Sequence, residues 1–155
     1  MLMRLHTWSS FGRSAACRLF APALFVVVAF SGSAMACSCP RNPTAQGILA
    51  SAAAVFTGVV EQSVEVAPGQ SVTTFRVTES FKDAVPGTAM HVSHPSGSSA
   101  SCGVNFLAGK VYTLAAHKSK TPRLLSTGLC STWMFLPHVR LSKGLIEEMR
   151  ARRQR

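Results

Sequence analysis

The chain has 155 residues, of which 47% are hydrophobic, and its 16 basic and 6 acidic side chains give a formal net charge of +10. Once a leader is removed, this length holds one hydrophobic core and excludes two ordinary domains. With one aspartate and five glutamates in the whole chain, a mechanism built on paired carboxylates has few candidate groups.

The first 36 residues have the three parts of a signal peptide. Three arginines precede an apolar run over residues 19–30, and small residues lead up to Ala36. The run covers twelve residues, whereas a membrane-spanning helix needs about 20. We therefore predict a signal peptide over residues 1–36, an exported protein that is extracellular or periplasmic, and Cys37 as the first residue of the mature chain.

Four cysteines remain in the mature chain: Cys37, Cys39, Cys102 and Cys130. An even number of cysteines in an oxidising destination predicts two disulfides. Cys37 and Cys39 are too close for a comfortable mutual bridge, so each is expected to reach across the chain. A zinc cluster is the competing use of four cysteines, but it favours paired C-x2-4-C knuckles and reducing compartments.

A short helix is the first predicted element. Residues 44–54 are rich in alanine and begin with Thr44, a residue type that caps helix N-termini. From Val55 onward, runs of β-branched and aromatic residues alternate with proline, glycine and serine turns, and each run predicts a strand. Gly58 predicts a bend in the first strand. The predicted strands cover residues 55–66, 72–81, 88–94, 110–117 and 123–127.

Five short strands with turns between them predict a mainly β domain over residues 37–137, a five-stranded OB-fold-like barrel with a short N-terminal helix. Residues 138–155 contain six basic and two acidic side chains, and residues 141–155 are either a basic helix or a disordered tail. Such a tail is ordinarily solvated, and it also offers a contact to anionic lipid or polysaccharide.

A positively charged barrel of this type suggests nucleic-acid binding, but export argues against that partner. Binding of single strands uses exposed aromatic side chains, whereas the aromatic residues Phe56, Phe75, Phe81 and Tyr112 fall at expected core positions. We therefore expect a monomer with a protein partner and no nucleic acid.

Catalytic motifs are absent from the sequence. It contains no G-x-S-x-G elbow, no phosphate-binding glycine loop and no H-E-x-x-H zinc helix. His91 and His94 are three residues apart on a predicted strand, so their side chains point to opposite faces and do not favour a metal site. We expect no enzyme, no cofactor and no metal of its own.

The predicted mature N-terminus, Cys37-Ser38-Cys39, is the segment that indicates most about function. An N-terminal cysteine presents an α-amine whose pKa is about 8, so part of it is neutral and can donate a lone pair. Amine and carbonyl can then chelate a metal together. The alternatives are that Cys37 is only a disulfide staple, or that it is lipidated; a lipoprotein expects a leucine-like residue at the position of Ala34.

Several segments together resemble the N-terminal domain of the tissue inhibitors of metalloproteinases, within the netrin-like OB-fold group. The order and spacing agree over most of the mature chain. The matching segments are residues 37–39, 53–60, Ser101-Cys102-Gly103, 106–110, and Leu125-Ser126-Thr127 leading to Cys130. The chain departs from the family in having Pro40 directly after Cys39, no third bridge and no C-terminal disulfide subdomain.

The resemblance implies a disulfide pairing and a set of roles. The implied bridges are Cys37 to Cys102 and Cys39 to Cys130. In the family, the amine and carbonyl of the first cysteine bind the catalytic zinc of the protease and displace its water, and the second side chain enters the specificity pocket. By resemblance these roles fall on Cys37 and Ser38. The implied inhibitory ridge consists of Ser38, Cys39, Ser101, Cys102 and Gly103.

The leading hypothesis is an exported inhibitor of a zinc metalloendopeptidase that blocks the enzyme by chelation through Cys37. The alternative is a netrin-like binding or adhesion module of the cell envelope or extracellular space, without inhibitory activity. A small hydrolase is the third option, and it would need acids or a nucleophile that the sequence does not display.

Overall fold

A computed structural model of the protein describes residues 37–98, 102–136 and 142–155. The predicted signal peptide lies outside these segments. No helix in them is long and apolar enough to cross a membrane. Their elements, in chain order, are α1 (Ala45–Ser51), β1 (Ala54–Ala67), β2 (Gln70–Lys82), β3 (Ala89–Pro95), β4 (Val111–Lys118), β5 (Leu125–Ser126), α2 (Leu129–Trp133) and α3 (Ser142–Arg153).

The five strands form one sheet that closes into a ring in the order β1-β2-β3-β5-β4. β3 and β5 pair in parallel, and the other four pairs are antiparallel. The mainly β fold and its five strands are confirmed, with boundaries that lie close to the predicted ones. The predicted helix is also confirmed, because the Thr44 hydroxyl accepts a hydrogen bond from Gly47 N–H at 3.1 Å and caps α1.

The bend predicted at Gly58 coincides with an irregularity in the register of β1. The β1–β2 pairing shifts between Thr57 and Gly58. A Cβ atom at Gly58 would lie 3.0 Å from the carbonyl oxygen of Arg76 and 3.2 Å from the Cβ of Phe75. A Cβ atom here would force the neighbouring strand to shift by a few tenths of an ångström, so the close packing favours glycine.

Aromatic rings fill the interior of the ring of strands. Phe56, Phe75 and Phe106 are buried. Phe75 meets Phe56 edge to face with the ring centroids 5.8 Å apart, and it meets Phe106 at 5.0 Å. Tyr112, half-buried, packs against Phe106 at 5.0 Å. The predicted core positions of Phe56 and Phe75 are therefore confirmed, and their burial supplies much of the apolar stabilisation of this layer.

A second apolar cluster lies between the sheet and the helices. It includes Val55 and Phe81 from the strands, Ile48 from α1, and Leu145 and Met149 from α3. The sequence left open whether residues 141–155 form a helix or a disordered tail. The structure shows a helix over Ser142–Arg153 that packs on α1 and β2, so the basic segment contributes to the core. The boundary after residue 137 lies in a stretch that the structure does not describe.

Candidate functional site

Two disulfides join Cys37 and Cys39 to distant parts of the fold. Cys37 bonds to Cys102 with a Cα–Cα distance of 5.6 Å, across 65 residues of sequence. Cys39 bonds to Cys130 with a Cα–Cα distance of 5.2 Å, across 91 residues. The pairing that the resemblance implied is therefore confirmed. In the chain-entropy model each bridge removes about 4 to 5 kcal/mol of loop entropy from the unfolded chain, and two structural bridges indicate an oxidising compartment.

The anchored segment presents one exposed side chain between two anchors. Cys37 and Cys39 are half-buried, and Ser38 between them is exposed. Because the bridges hold both neighbours, the backbone of Ser38 is positioned without belonging to a helix or strand. Ser38 is thus a small polar group on a fixed backbone.

The loop that carries Cys102 is built by close backbone approach. Cys102 has a φ of 58°, in the left-handed region that non-glycine residues seldom occupy. Gly103 is buried, and a Cβ atom there would lie 2.9 Å from Gly97 N and 2.9 Å from the carbonyl carbon of Ser96. Gly103 is therefore the residue type that this contact requires, and the backbone directly after Cys102 lies against residues 96–97.

Two hydrogen bonds from one side chain clamp the same loop. Asn105 accepts from Gly97 N–H through Oδ1 and donates to the Gly97 carbonyl through Nδ2, both at 3.2 Å. Val104 N–H also donates to the Pro95 carbonyl at 2.9 Å. Sequence reasoning did not single out Asn105. The sequence did place an asparagine close to a loop that contains two glycines, and asparagine side chains often bond to backbone groups.

A buried histidine lies beneath this loop. Nδ1 of His94 donates to the Pro95 carbonyl at 3.2 Å, and Nε2 accepts from the Thr73 hydroxyl at 2.7 Å. The ring also packs edge to face on Phe106, at 4.8 Å between centroids. Burial lowers the pKa of His94 below its ordinary value, and the backbone hydrogen bonds oppose this effect only in part. His94 therefore acts as a neutral core residue that supports the start of the loop.

The second histidine of the H-x-x-H spacing takes a different partner. Nδ1 of His91 lies 3.0 Å from the Thr74 hydroxyl, while His94 bonds to the neighbouring Thr73 on the other face of β2. The described residues contain no group of three or more histidine, cysteine or acidic side chains that could hold a metal ion.

A cavity of about 390 Å³ lies beside the Cys39–Cys130 bridge. Its lining is mainly apolar. The lining includes Pro40, Pro43, Ile48, His117, Cys130 and Met134. His117 Nε2 lies 3.3 Å from the Ser131 hydroxyl on this side. Sequence reasoning missed this cavity, because its walls come from three segments that are far apart in the chain.

The structure thus brings together part of the predicted ridge. Cys37 and Cys102 are joined directly, Cys39 is held by Cys130, and Gly103, which follows Cys102 in the chain, packs on residues 96–97. Ser101, the remaining predicted ridge residue, lies outside the described residues.

Comparison with known proteins gives no independent family assignment: no family model matches the chain, and no curated protein matches it. The likeness to the tissue inhibitors of metalloproteinases therefore rests on the sequence segments alone.

Proposed function

We propose that the mature chain is an exported inhibitor of a zinc metalloendopeptidase, built on an OB-type barrel of the netrin-like group. The observation that carries the proposal is the pair of bridges, Cys37 to Cys102 and Cys39 to Cys130, which clamps the start of the mature chain. Of the pairings that the cysteine spacing leaves open, this is the one that the resemblance implies. The closed five-stranded sheet with a non-sequential strand order supports the proposed barrel type.

Signal-peptide cleavage creates the chelating group in this mechanism. Cutting after Ala36 turns the amide nitrogen of Cys37 into an α-amine. The amine lone pair and the Cys37 carbonyl oxygen then coordinate the zinc of the protease as a chelate and displace its water. The bridge to Cys102 already fixes Cys37, so little conformational entropy is lost on binding.

Ser38 is the group proposed to enter the specificity pocket. It is exposed, and its neighbours on both sides are disulfide-bonded. A small hydroxyl side chain fits a shallow pocket and leaves affinity to depend mainly on the chelate. Cys39, Ser101, Cys102 and Gly103 complete the proposed ridge, and inhibition follows from occupation of the site without turnover.

A matched pair of proteins tests the proposal. One begins at Cys37, and the other keeps Ala36 as a single additional residue, with both disulfides intact in each. The two are titrated against a panel of zinc metalloendopeptidases with a fluorogenic peptide substrate. The mature form is expected to inhibit at least one enzyme, and the extended form at least about 100-fold more weakly, because its Cys37 nitrogen is an amide and cannot coordinate zinc.

The outcomes are distinct. Equal inhibition by both forms would contradict chelation through the α-amine, and no inhibition of any panel enzyme would favour the binding-module alternative. The variant Ser38→Ala in the mature background is the control for the pocket role. It is expected to change the ranking of enzymes while inhibition persists.

A further inference from the structure

The β1–β2 hairpin extends beyond the closed part of the sheet. β4 pairs with β1 over Ala54–Val59, and the next residue, Val60, exchanges hydrogen bonds with the backbone of residues 109–110. From residue 61 to residue 67, β1 pairs with β2 and with no other strand of the described residues. We name residues 61–67 the arm edge, and all of them are exposed.

The far side of the hairpin is already paired, so the arm edge is its open side. β3 pairs with β2 over Gln70–Arg76. The bond from Val77 N–H to the Thr88 carbonyl, 3.0 Å long, belongs to this ladder. Because hydrogen bonding alternates along a strand, the odd-numbered residues of β2 bond to β3 and the even-numbered ones to β1.

The same alternation identifies the unpaired groups of the arm edge. Ser63 lies opposite Thr73, and Glu65 lies opposite Ser71. Both partners are odd-numbered and bond to β3, so Ser63 and Glu65 direct their N–H and C=O groups away from β2. These four backbone groups lie at 63 and 65, within the regular stretch between two register shifts of β1.

The acidic side chains of the arm edge do not protect it from pairing with another strand. Exposed edge strands are usually protected by charges that face a would-be partner. Here Glu61 forms an ion pair with Arg76 of the same hairpin, and Glu65 accepts a hydrogen bond from Gly69 N–H at 3.0 Å. The arm edge contains no lysine, arginine or proline.

We infer that the arm edge pairs antiparallel with the arm edge of a second copy of this chain, about a two-fold axis at Val64. In this register Ser63 of each copy exchanges hydrogen bonds with Glu65 of the other, which satisfies all four groups on each chain. Val64 then faces Val64 of the second copy in a non-hydrogen-bonded pair, the position where side chains across a ladder are closest. A two-fold interface needs this self-complementarity.

The side chains agree with the same register. Val64 is 52% exposed and pairs with the half-buried Val72. Pairing two copies makes a row of four valines across the axis and removes apolar surface from water. Each Glu65 faces a serine, so no carboxylate directly opposes another. The sequence predicted a monomer, and the open edge leads to a dimer instead.

Sedimentation equilibrium of the mature chain tests the dimer, with two variants of one residue. Glu65→Pro removes an outward N–H and leaves the β1–β2 ladder intact. Glu65→Ala keeps that N–H and is the matched control, because both variants lose the contact to Gly69. The proline variant is expected to self-associate at least about tenfold more weakly than the wild type, since two of four interchain hydrogen bonds disappear. The alanine variant is expected to stay within about threefold.

A wild-type chain that remains monomeric up to about 1 mM, or equal association of the two variants, would overturn the inference. If Glu65→Pro fails to fold, hydrogen exchange on the wild-type protein tests dimerisation through the arm edge instead. The amides of Ser63 and Glu65 should gain protection as protein concentration rises. Protection that does not depend on concentration, or that rises at another surface, would also overturn it. These measurements do not depend on the proposed inhibition.

Discussion

Replacing Met149 by alanine tests whether α3 belongs to the folded core. Met149 is fully buried at 0% exposure and lies in one apolar cluster with Ile48 of α1 and Phe81 of β2. Truncating a buried methionine to alanine costs about 2 to 5 kcal/mol, and the value depends on how far the site can collapse. Alanine is the best helix former, so the variant measures packing and leaves helix propensity undiminished. We expect Met149→Ala to lower the free energy of unfolding by about 3 kcal/mol.

Urea denaturation with both disulfides intact measures this loss. With a slope of about 1.5 to 2 kcal/mol per molar urea, the midpoint should fall by about 1.5 to 2 M. Lys143→Ala, an exposed position on the same helix, is the control and should change stability by about 0.5 kcal/mol or less. If Met149→Ala matched this control, α3 would not be docked and its place in the core would be refuted.

Three further predictions concern residues that support the loop carrying Cys102 and residues that pack on α1 or lie in α3. Burial lowers the pKa of His94 below its ordinary 6.5, so the unfolded chain takes up a proton at a higher pH than the folded chain does. The stability that neutral His94 contributes should therefore be present in full above about pH 6.5 and be lost progressively below it. His94→Gln should flatten this part of a plot of unfolding free energy against pH, and an unchanged slope would contradict the buried, neutral state of His94. Gly103→Ala should lower the free energy of unfolding by about 1 to 3 kcal/mol, because the added Cβ would press on backbone atoms. Gly144→Ala, with open space around the added Cβ, should raise the free energy of unfolding by about 0.5 to 1 kcal/mol. Equal effects of the two variants in thermal denaturation would contradict the close backbone approach at Gly103. Lys82 Nζ donates to the carbonyls of Leu49 and Ala52, both at 2.7 Å, so Lys82→Met should cost about 1.5 to 3 kcal/mol, and a loss near zero in urea titration would show that these bonds add nothing.

The packing of α3 changes how the binding-module alternative is tested. Deleting residues 141–155 would separate surface binding from inhibition if these residues formed a detached tail. Because Leu145 and Met149 are buried in the domain, the deletion would also damage the fold. Substituting the exposed charges Lys143 and Arg155 removes positive charge and leaves the packed face of α3 intact.

Local patterns were sufficient to predict most of the architecture. The β-branched runs and their turns located five strands, Thr44 located the start of α1, and Gly58 marked a position where the β1–β2 register shifts. Each of these depends on neighbours in the sequence. The docking of α3 was not predicted, because its two buried apolar residues, Leu145 and Met149, are set among charged side chains and their partners come from distant elements.

The candidate site was predicted less completely. Cysteine spacing excluded one pairing in practice and left the other two open, so the observed pairing was reached through the resemblance. Asn105 and His94 support the loop that carries Cys102, and the sequence did not reveal this role. Each bonds to groups that come together only when residues 95–105 fold back on themselves. The open arm edge depends on where β4 ends, which a strand pattern does not specify.

The intact mass of the protein, expressed with residues 1–36 present and measured before and after reduction with its N-terminal residue identified, shows whether Cys37 carries the free α-amine that zinc chelation requires. Chelation through Cys37 predicts a chain that begins with unmodified Cys37 and gains four hydrogens when its two disulfides are reduced. A chain that begins elsewhere, or whose Cys37 carries an acyl group, would lack the α-amine that coordinates zinc and would contradict the proposed inhibition.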